Sequence, residues 1–99
     1  QLKGGYHNTN MLFGWYIDMM RASRHTREVN DFLRNIGFRV QFFRKMRDIS
    51  QEELAERCGL SYSTISHIES TASYPFSMVA LYRIAKALDI EPYQLLKFD

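Results

Sequence analysis

With 99 residues, the chain has room for one small domain with a single hydrophobic core. Its composition of 45% apolar and 24% charged residues is typical of a folded globular protein and argues against disorder. The net charge of +2 is weak, one cysteine cannot form an internal disulfide, and no apolar run is long enough to cross a bilayer, so we expect a cytoplasmic protein.

The first 30 residues consist of a polar tail, an apolar segment and a basic connector. Residues 1–10 show no periodicity, and residues 21–27 are basic and polar. Residues 11–20 are apolar on nearly every side of a helical wheel, interrupted by Gly14 and Asp18. Such a segment needs a surface to cover it. We therefore predict an extra helical segment in residues 1–30, followed by a separate domain in residues 31–99.

A long helix is predicted next, because Asn30 or Asp31 can serve as its N-cap and apolar residues then repeat to about residue 47. Gly37 within it costs about 1 kcal/mol relative to alanine, which makes the start of the helix hard to place. Its first apolar stripe consists of Phe32, Ile36, Val40 and Phe43. A second stripe, about 140° away at 100° per residue, consists of Phe38, Phe42 and Met46.

Two short helices joined by a tight turn follow. Ser50 and Glu53 form a capping-box pattern at the start of the first helix, and Gly59 suits the left-handed backbone at its end. Ser61 can cap the second helix, residues 62 to about 70. Its exposed positions are expected to be Tyr62, Ser63, Ser66 and His67.

The rest of the chain is also predicted to be helical. Ser77 can cap a fourth helix over residues 78–88, with Asp89 where a glycine often ends such a helix. Pro92 suits the first position of a short fifth helix that includes Leu95 and Leu96. No stretch has a strong strand pattern, so the fold class predicted is all-α.

Residues 36–96 combine Arg44, the run SQEELA, Gly59, Ser61, Ile65, Ser66, Ile68, Glu69, Pro75 and the run LYRIAKALDIEPYQLL. In this combination they resemble the phage repressor/Cro-type (XRE-like) helix-turn-helix family. The resemblance implies a five-helix, lambda-repressor-like domain preceded here by the extra segment. It also implies a transcriptional regulator, usually a repressor, that binds specific double-stranded DNA sequences as a homodimer. Unlike the family, residues 70–75 contain neither glycine nor a basic residue.

The resemblance also assigns roles to residues. Gln51 matches a position that binds a phosphate and braces the third helix, and Arg44 and Glu69 match a mostly buried structural salt bridge. The residues assigned to DNA binding are Arg39, Gln51, Ser61, Tyr62, Ser63, Thr64, Ser66, His67 and Ser73. No cofactor, metal or small-molecule ligand is evident. Enzyme activity is not expected, because the three histidines are scattered and no nucleophile motif is present.

A rival hypothesis is a helix-turn-helix module used mainly for protein–protein interaction, as in an antitoxin or a repressor partner. Residues 36–99 contain eight Lys or Arg and eight Asp or Glu, so this part of the chain is neutral. The apolar N-terminal segment favours the same hypothesis. A candidate dimer or covering interface comprises Trp15, Ile17, Phe38, Phe42 and Met46. The segment either covers the second stripe, within one chain or across a dimer, or is a tail.

Overall fold

The computed structural model describes residues 27–70 and 74–98, together with Gly14, and this described part contains helices and no strand. Its elements are α1 (Arg27–Met46), α2 (Gln51–Cys58), α3 (Tyr62–Ser70), α4 (Met78–Ala87) and a 3₁₀ helix (Pro92–Leu95). The all-α prediction is confirmed, with a 3₁₀ turn in place of the fifth α-helix. Predictions about residues 1–10, Trp15, Ile17, the connector before residue 27 and residues 71–73 lie outside the described residues.

The starts of α2 and α4 follow from local hydrogen bonds. The hydroxyl oxygen of Ser50 accepts from the backbone N–H of Glu53 at 3.0 Å, and that of Ser77 accepts from Ala80 at the same distance. The Glu53 carboxylate binds Arg57, one turn further along α2. The predicted Ser50 cap is therefore present, but the Glu53 side chain supports α2 through an ion pair on its surface.

Left-handed backbone ends three of the helices. Gly59 after α2 has φ 73°, and Asp48 after α1 and Asp89 after α4 both have φ 58°. Glycine adopts this conformation freely, and aspartate tolerates it better than most residues. The predicted stop at Asp89 is thus confirmed. The backbone N–H of Ile90 then returns to the carbonyl of Ala85 at 3.0 Å, which satisfies an acceptor in the last turn of α4.

Helix α1 begins at or before Arg27, so the predicted start at Asn30 or Asp31 is wrong. Both residues lie inside the helix, and α1 crosses the boundary predicted between residues 30 and 31. Residues that often cap helices also occur inside a helix when apolar residues continue on both sides of them. Here Val29 precedes Asn30 and Asp31 within α1. The carboxylate of Asp31 binds Arg34 one turn along at 2.7 Å, which stabilises the helix at that point.

The core lies where α1, α2, α3 and α4 meet beneath the 3₁₀ helix. Its largest fully buried side chains are Val40, Leu54, Ile65, Ile68, Ile84, Leu88 and Leu95. Phe32, expected in the buried stripe of α1, is instead 44% exposed, because this end of α1 reaches beyond the other helices. Its ring lies edge-on to the ring of Phe98, with 5.6 Å between centroids. None of the described helices has the length and apolar composition needed to span a membrane.

Gly37 lies where α1 crosses α3. A Cβ atom placed on Gly37 would lie 2.2 Å from the carbonyl oxygen of Ile68 and 3.3 Å from its carbonyl carbon. Both atoms belong to the backbone, so no side-chain rotation could make room. The glycine that weakens α1 as an isolated helix is therefore required for the close approach of α1 to α3.

Candidate nucleic-acid interface

Helix α3 is held in place by a buried ion pair with α1. The guanidinium of Arg44 donates to both carboxylate oxygens of Glu69, at 2.7 Å and 2.9 Å, and a third N–H donates to the carbonyl of Ile49 at 2.8 Å. The two side chains are only 10% and 1% exposed. Hydrogen bonding to Glu69 raises the pKa of Arg44 above its ordinary value, although burial acts in the opposite direction. This pair fixes the angle of α3 against the core.

Gln51 joins this network from the first position of α2. Its amide nitrogen donates to Oε1 of Glu69 at 3.0 Å. The same oxygen accepts from Nη2 of Arg44. The two helices of the motif are therefore linked through one carboxylate, which is itself linked to α1. The geometry accounts for the bracing role that the family resemblance implies for Gln51, while a phosphate contact stays a prediction.

The side of α3 opposite its buried residues is polar and open to solvent. Tyr62, Ser63 and His67 are exposed there, and Ser66 is half-buried. At the start of the helix the hydroxyl of Ser61 accepts from the backbone N–H of Thr64 at 3.0 Å and lies 2.9 Å from its hydroxyl. The structure thus brings six of the nine residues assigned to DNA binding onto α3 and its N-terminus, with Gln51 close behind them.

The imidazole of His67 has a defined orientation on this surface. Its Nδ1 atom lies 2.7 Å from the carbonyl oxygen of Ser63, one turn earlier. Its ring stacks on Tyr74, with centroids 5.2 Å apart and planes inclined by 16°. Sequence patterns did not assign a role to Tyr74, because the stacking joins α3 to a residue outside that helix and follows no helical spacing.

The contact with Ser63 determines what His67 can recognise. A carbonyl oxygen only accepts hydrogen bonds, so this contact, which is shorter than the 3.2 Å from Nδ1 to the Ser63 hydroxyl, favours the tautomer with the hydrogen on Nδ1. In that tautomer Nε2 of a neutral ring is an acceptor. An acceptor pairs with the amino group of adenine or cytosine in the major groove. Donation from Nε2 to an acceptor on guanine requires the doubly protonated imidazolium.

Two residues assigned to DNA binding lie elsewhere. Arg39 is on the side of α1 that faces the 3₁₀ helix, where its Nε donates to the carbonyl of Gln94 at 3.2 Å. Its guanidinium also packs over the ring of Phe43, 4.9 Å from the centroid. A DNA contact by Arg39 stays a prediction that these neighbours do not favour. Ser73 lies outside the described residues.

Helices α2 and α3 carry fewer basic than acidic residues, which is unusual for a surface expected to meet phosphates. Helix α3 contains no Lys or Arg, and α2 contains Glu52, Glu53 and Glu56 against Arg57 alone. Phosphate binding by this helix pair stays a prediction, one that relies on hydroxyl groups, the Gln51 amide and the backbone N–H groups at helix N-termini.

The second stripe of α1 is exposed among the residues that the structure describes. Phe38, Phe42 and Met46 are between 51% and 59% exposed, and together with Gln41 and Lys45 they line a shallow groove. At 100° per residue, Phe42 lies about 150° around α1 from Gly37 and Arg44, which contact α3. The α1 stripe and the exposed polar side of α3 therefore face in nearly opposite directions.

Known proteins match this fold and this arrangement. The family profile described as Helix-turn-helix matches residues 40–95. The restriction-modification controller protein C.AhdI from Aeromonas hydrophila is 36% identical, with a TM-score of 0.60, over 64% of this chain and 94% of that one. The hypothetical transcription factor NHTF from Neisseria is 30% identical, with a TM-score of 0.63, over 67% of this chain and 75% of that one. No curated protein matches the chain.

Proposed function

The chain belongs to the XRE-type helix-turn-helix family of DNA-binding transcriptional regulators, and we propose that it is a repressor that binds a palindromic operator as a homodimer. The observation that supports this most directly is the network of Arg44, Glu69 and Gln51, which fixes α3 while its opposite side stays open. In this proposal α3 enters the major groove, and Tyr62, Ser63 and His67 contact base edges.

The homodimer follows from the size of the recognition surface. One short helix such as α3, with nine residues, covers only a few base pairs. Two copies on half-sites about 34 Å apart double the number of contacts and require an operator with two-fold symmetry. The α1 stripe does not suit this pairing, because contact through it would turn the two α3 helices away from one duplex.

The test begins with selection of bound sequences from a random DNA pool, followed by measurement of the mass of the bound protein. We expect a palindromic site occupied by two copies. An asymmetric site one half-site long, occupied by one copy, would refute the dimer. The pool also gives the base preference at each position of the site.

Two variants then separate base recognition from phosphate binding. His67→Ala removes the oriented imidazole and should relax the preference at one or two base pairs per half-site by about 1–3 kcal/mol. Gln51→Ala should weaken binding to specific and random DNA alike, because it removes an amide from the phosphate-facing N-terminus of α2 and loosens α3. Equal losses by both variants on both kinds of DNA would contradict these roles.

The second candidate function is binding of a partner protein through the α1 stripe. Three large apolar side chains more than half exposed on one helix face favour it, as does the lack of cations on α3. The two functions differ in their response to random duplex DNA at low salt. A DNA-binding regulator should bind it weakly and non-specifically, whereas a module that binds only protein should show no binding.

A further inference from the structure

A second apolar surface lies at the N-terminal end of α1, distinct from the α1 stripe and from the face of α3. It is a groove of about 320 Å³ between α1, the start of α4 and the chain after the 3₁₀ helix. Its walls include Phe32, Leu33, Phe76, Met78, Leu81 and Leu96. Met78 is 74% exposed and Phe32 44%, although the same face of α1 is fully buried one turn further on, at Ile36 and Val40.

The groove is therefore a continuation of the core that the described residues leave open. Val29 and Phe32 extend the apolar face of α1 towards its N-terminus, where they are 48% and 44% exposed. The walls contain no charged side chain, and Ser77 is their only polar member among the described residues. A surface of this kind is stabilised by an apolar partner and offers a charged partner little.

The chain itself supplies an apolar segment close to this groove. Residues 11–20 contain one charged residue, Asp18, and end seven residues before Arg27, where α1 is already helical. The seven residue steps from Met20 to Arg27 can span at most about 25 Å. Phe32 is only about 7.5 Å along the helix axis from Arg27, whereas the α1 stripe begins about 16.5 Å away at Phe38 and ends about 28 Å away at Met46. The short connector makes the groove the nearer of the two apolar surfaces.

The polarity of the segment also suits docking on one side. Gly14 is helical and exposed, and a Cβ placed on it would meet nothing within 4 Å. In a helix Asp18 lies one turn from Gly14 on the same side. The opposite side would carry Leu12, Tyr16 and Met20. A helix with its glycine and aspartate in solvent therefore presents an apolar face.

We propose that residues 11–20 dock in the groove of the same chain, with the face opposite Gly14 and Asp18 packed on Phe32 and Met78. The segment completes the core at the N-terminal end of α1. This role is independent of DNA binding and leaves the α1 stripe uncovered.

The five methionines of the chain provide a test in the intact protein. Three lie in residues 11–20, Met78 lies in the groove, and Met46 lies on the α1 stripe as a built-in control. In a sample labelled with ¹³C at the methionine methyl groups, we expect nuclear Overhauser contacts between Met78 and the segment, including the Trp15 ring. Contacts of the segment to Met46, or to neither methyl group, would overturn the proposal.

A matched pair of variants provides a second readout. Trp15 is the only tryptophan, so its fluorescence reports on the segment alone. Met78→Gln should shift its emission to the red and raise its quenching by acrylamide, whereas Met46→Gln should change neither. The reverse result would assign the segment to the α1 stripe. Methyl contacts that appear only between differently labelled chains in a mixed sample would make the occupant a second copy, and the proposal would be wrong.

Discussion

Substitution of Gly37 by alanine tests whether the closeness of α1 and α3 holds this fold together. In a helix open to solvent the change should stabilise by about 1 kcal/mol, because alanine has the higher helix propensity. Here the new methyl group would lie 2.2 Å from the carbonyl oxygen of Ile68. An ordinary contact between carbon and oxygen is about 3.3 Å or more, so the two backbones must separate by about 1 Å.

The predicted sign follows from comparing the two effects. Overpacking a well-packed interior costs about 1–3 kcal/mol, and the upper end applies where the obstacle is backbone that cannot change rotamer. Subtracting the gain in propensity leaves a net loss of about 2 kcal/mol. For a domain of this size, that loss should lower the melting temperature by roughly 8–16 °C.

Gly14→Ala is the matched control, since Gly14 is also helical but a Cβ there has no neighbour within 4 Å. Thermal and urea unfolding of both variants should show a clear loss for Gly37→Ala and no loss for Gly14→Ala. Unchanged or increased stability of Gly37→Ala would show that the helices separate at little cost, and the packing argument would fail.

Two further predictions concern the buried polar groups. Glu69→Gln leaves the Arg44 guanidinium without its carboxylate and should lower the free energy of unfolding by about 3 kcal/mol, measured by urea unfolding. The double variant Arg44→Met with Glu69→Leu should recover much of that loss, and no recovery would contradict the explanation. Burial raises the pKa of the Cys58 thiol, so Cys58 should react with a thiol reagent only as fast as the protein unfolds. The raised pKa means that folding favours the protonated thiol, so stability should fall as the pH rises above about 8.5, the ordinary pKa of a thiol. Rapid alkylation of Cys58 in native buffer would refute the burial argument.

Features that depend on neighbouring residues could be predicted from the sequence. Ser50, Ser77 and Gly59 act within one turn of their own position, and the structure confirms each of them. The Arg44–Glu69 pair joins residues 25 positions apart, and only the family resemblance could suggest it. The structure confirms that pair as well.

Features that depend on distant parts of the chain could not be predicted in this way. Gly37 looks like a defect of α1 until the carbonyl of Ile68, 31 residues later, is placed against it. Phe32 fits the spacing of the core stripe, but spacing does not tell how far along α1 the other helices reach. The stacking of Tyr74 on His67 joins α3 to a residue outside that helix. The orientation of the imidazole follows from the distance between Nδ1 and the carbonyl oxygen of Ser63, which no sequence pattern gives.

Because α2 and α3 contain few basic residues, their rigid placement is more important. Strongly basic DNA-binding surfaces gain affinity from counterion release, which is insensitive to small errors in position. Helix α3 contains no Lys or Arg, so in the proposed function its contribution comes from hydrogen bonds and packing at base edges, and these require correct distances and angles. Glu69 meets this requirement by joining α1 and α2 to α3 through one carboxylate. A residue that touches no base can therefore control which bases are recognised.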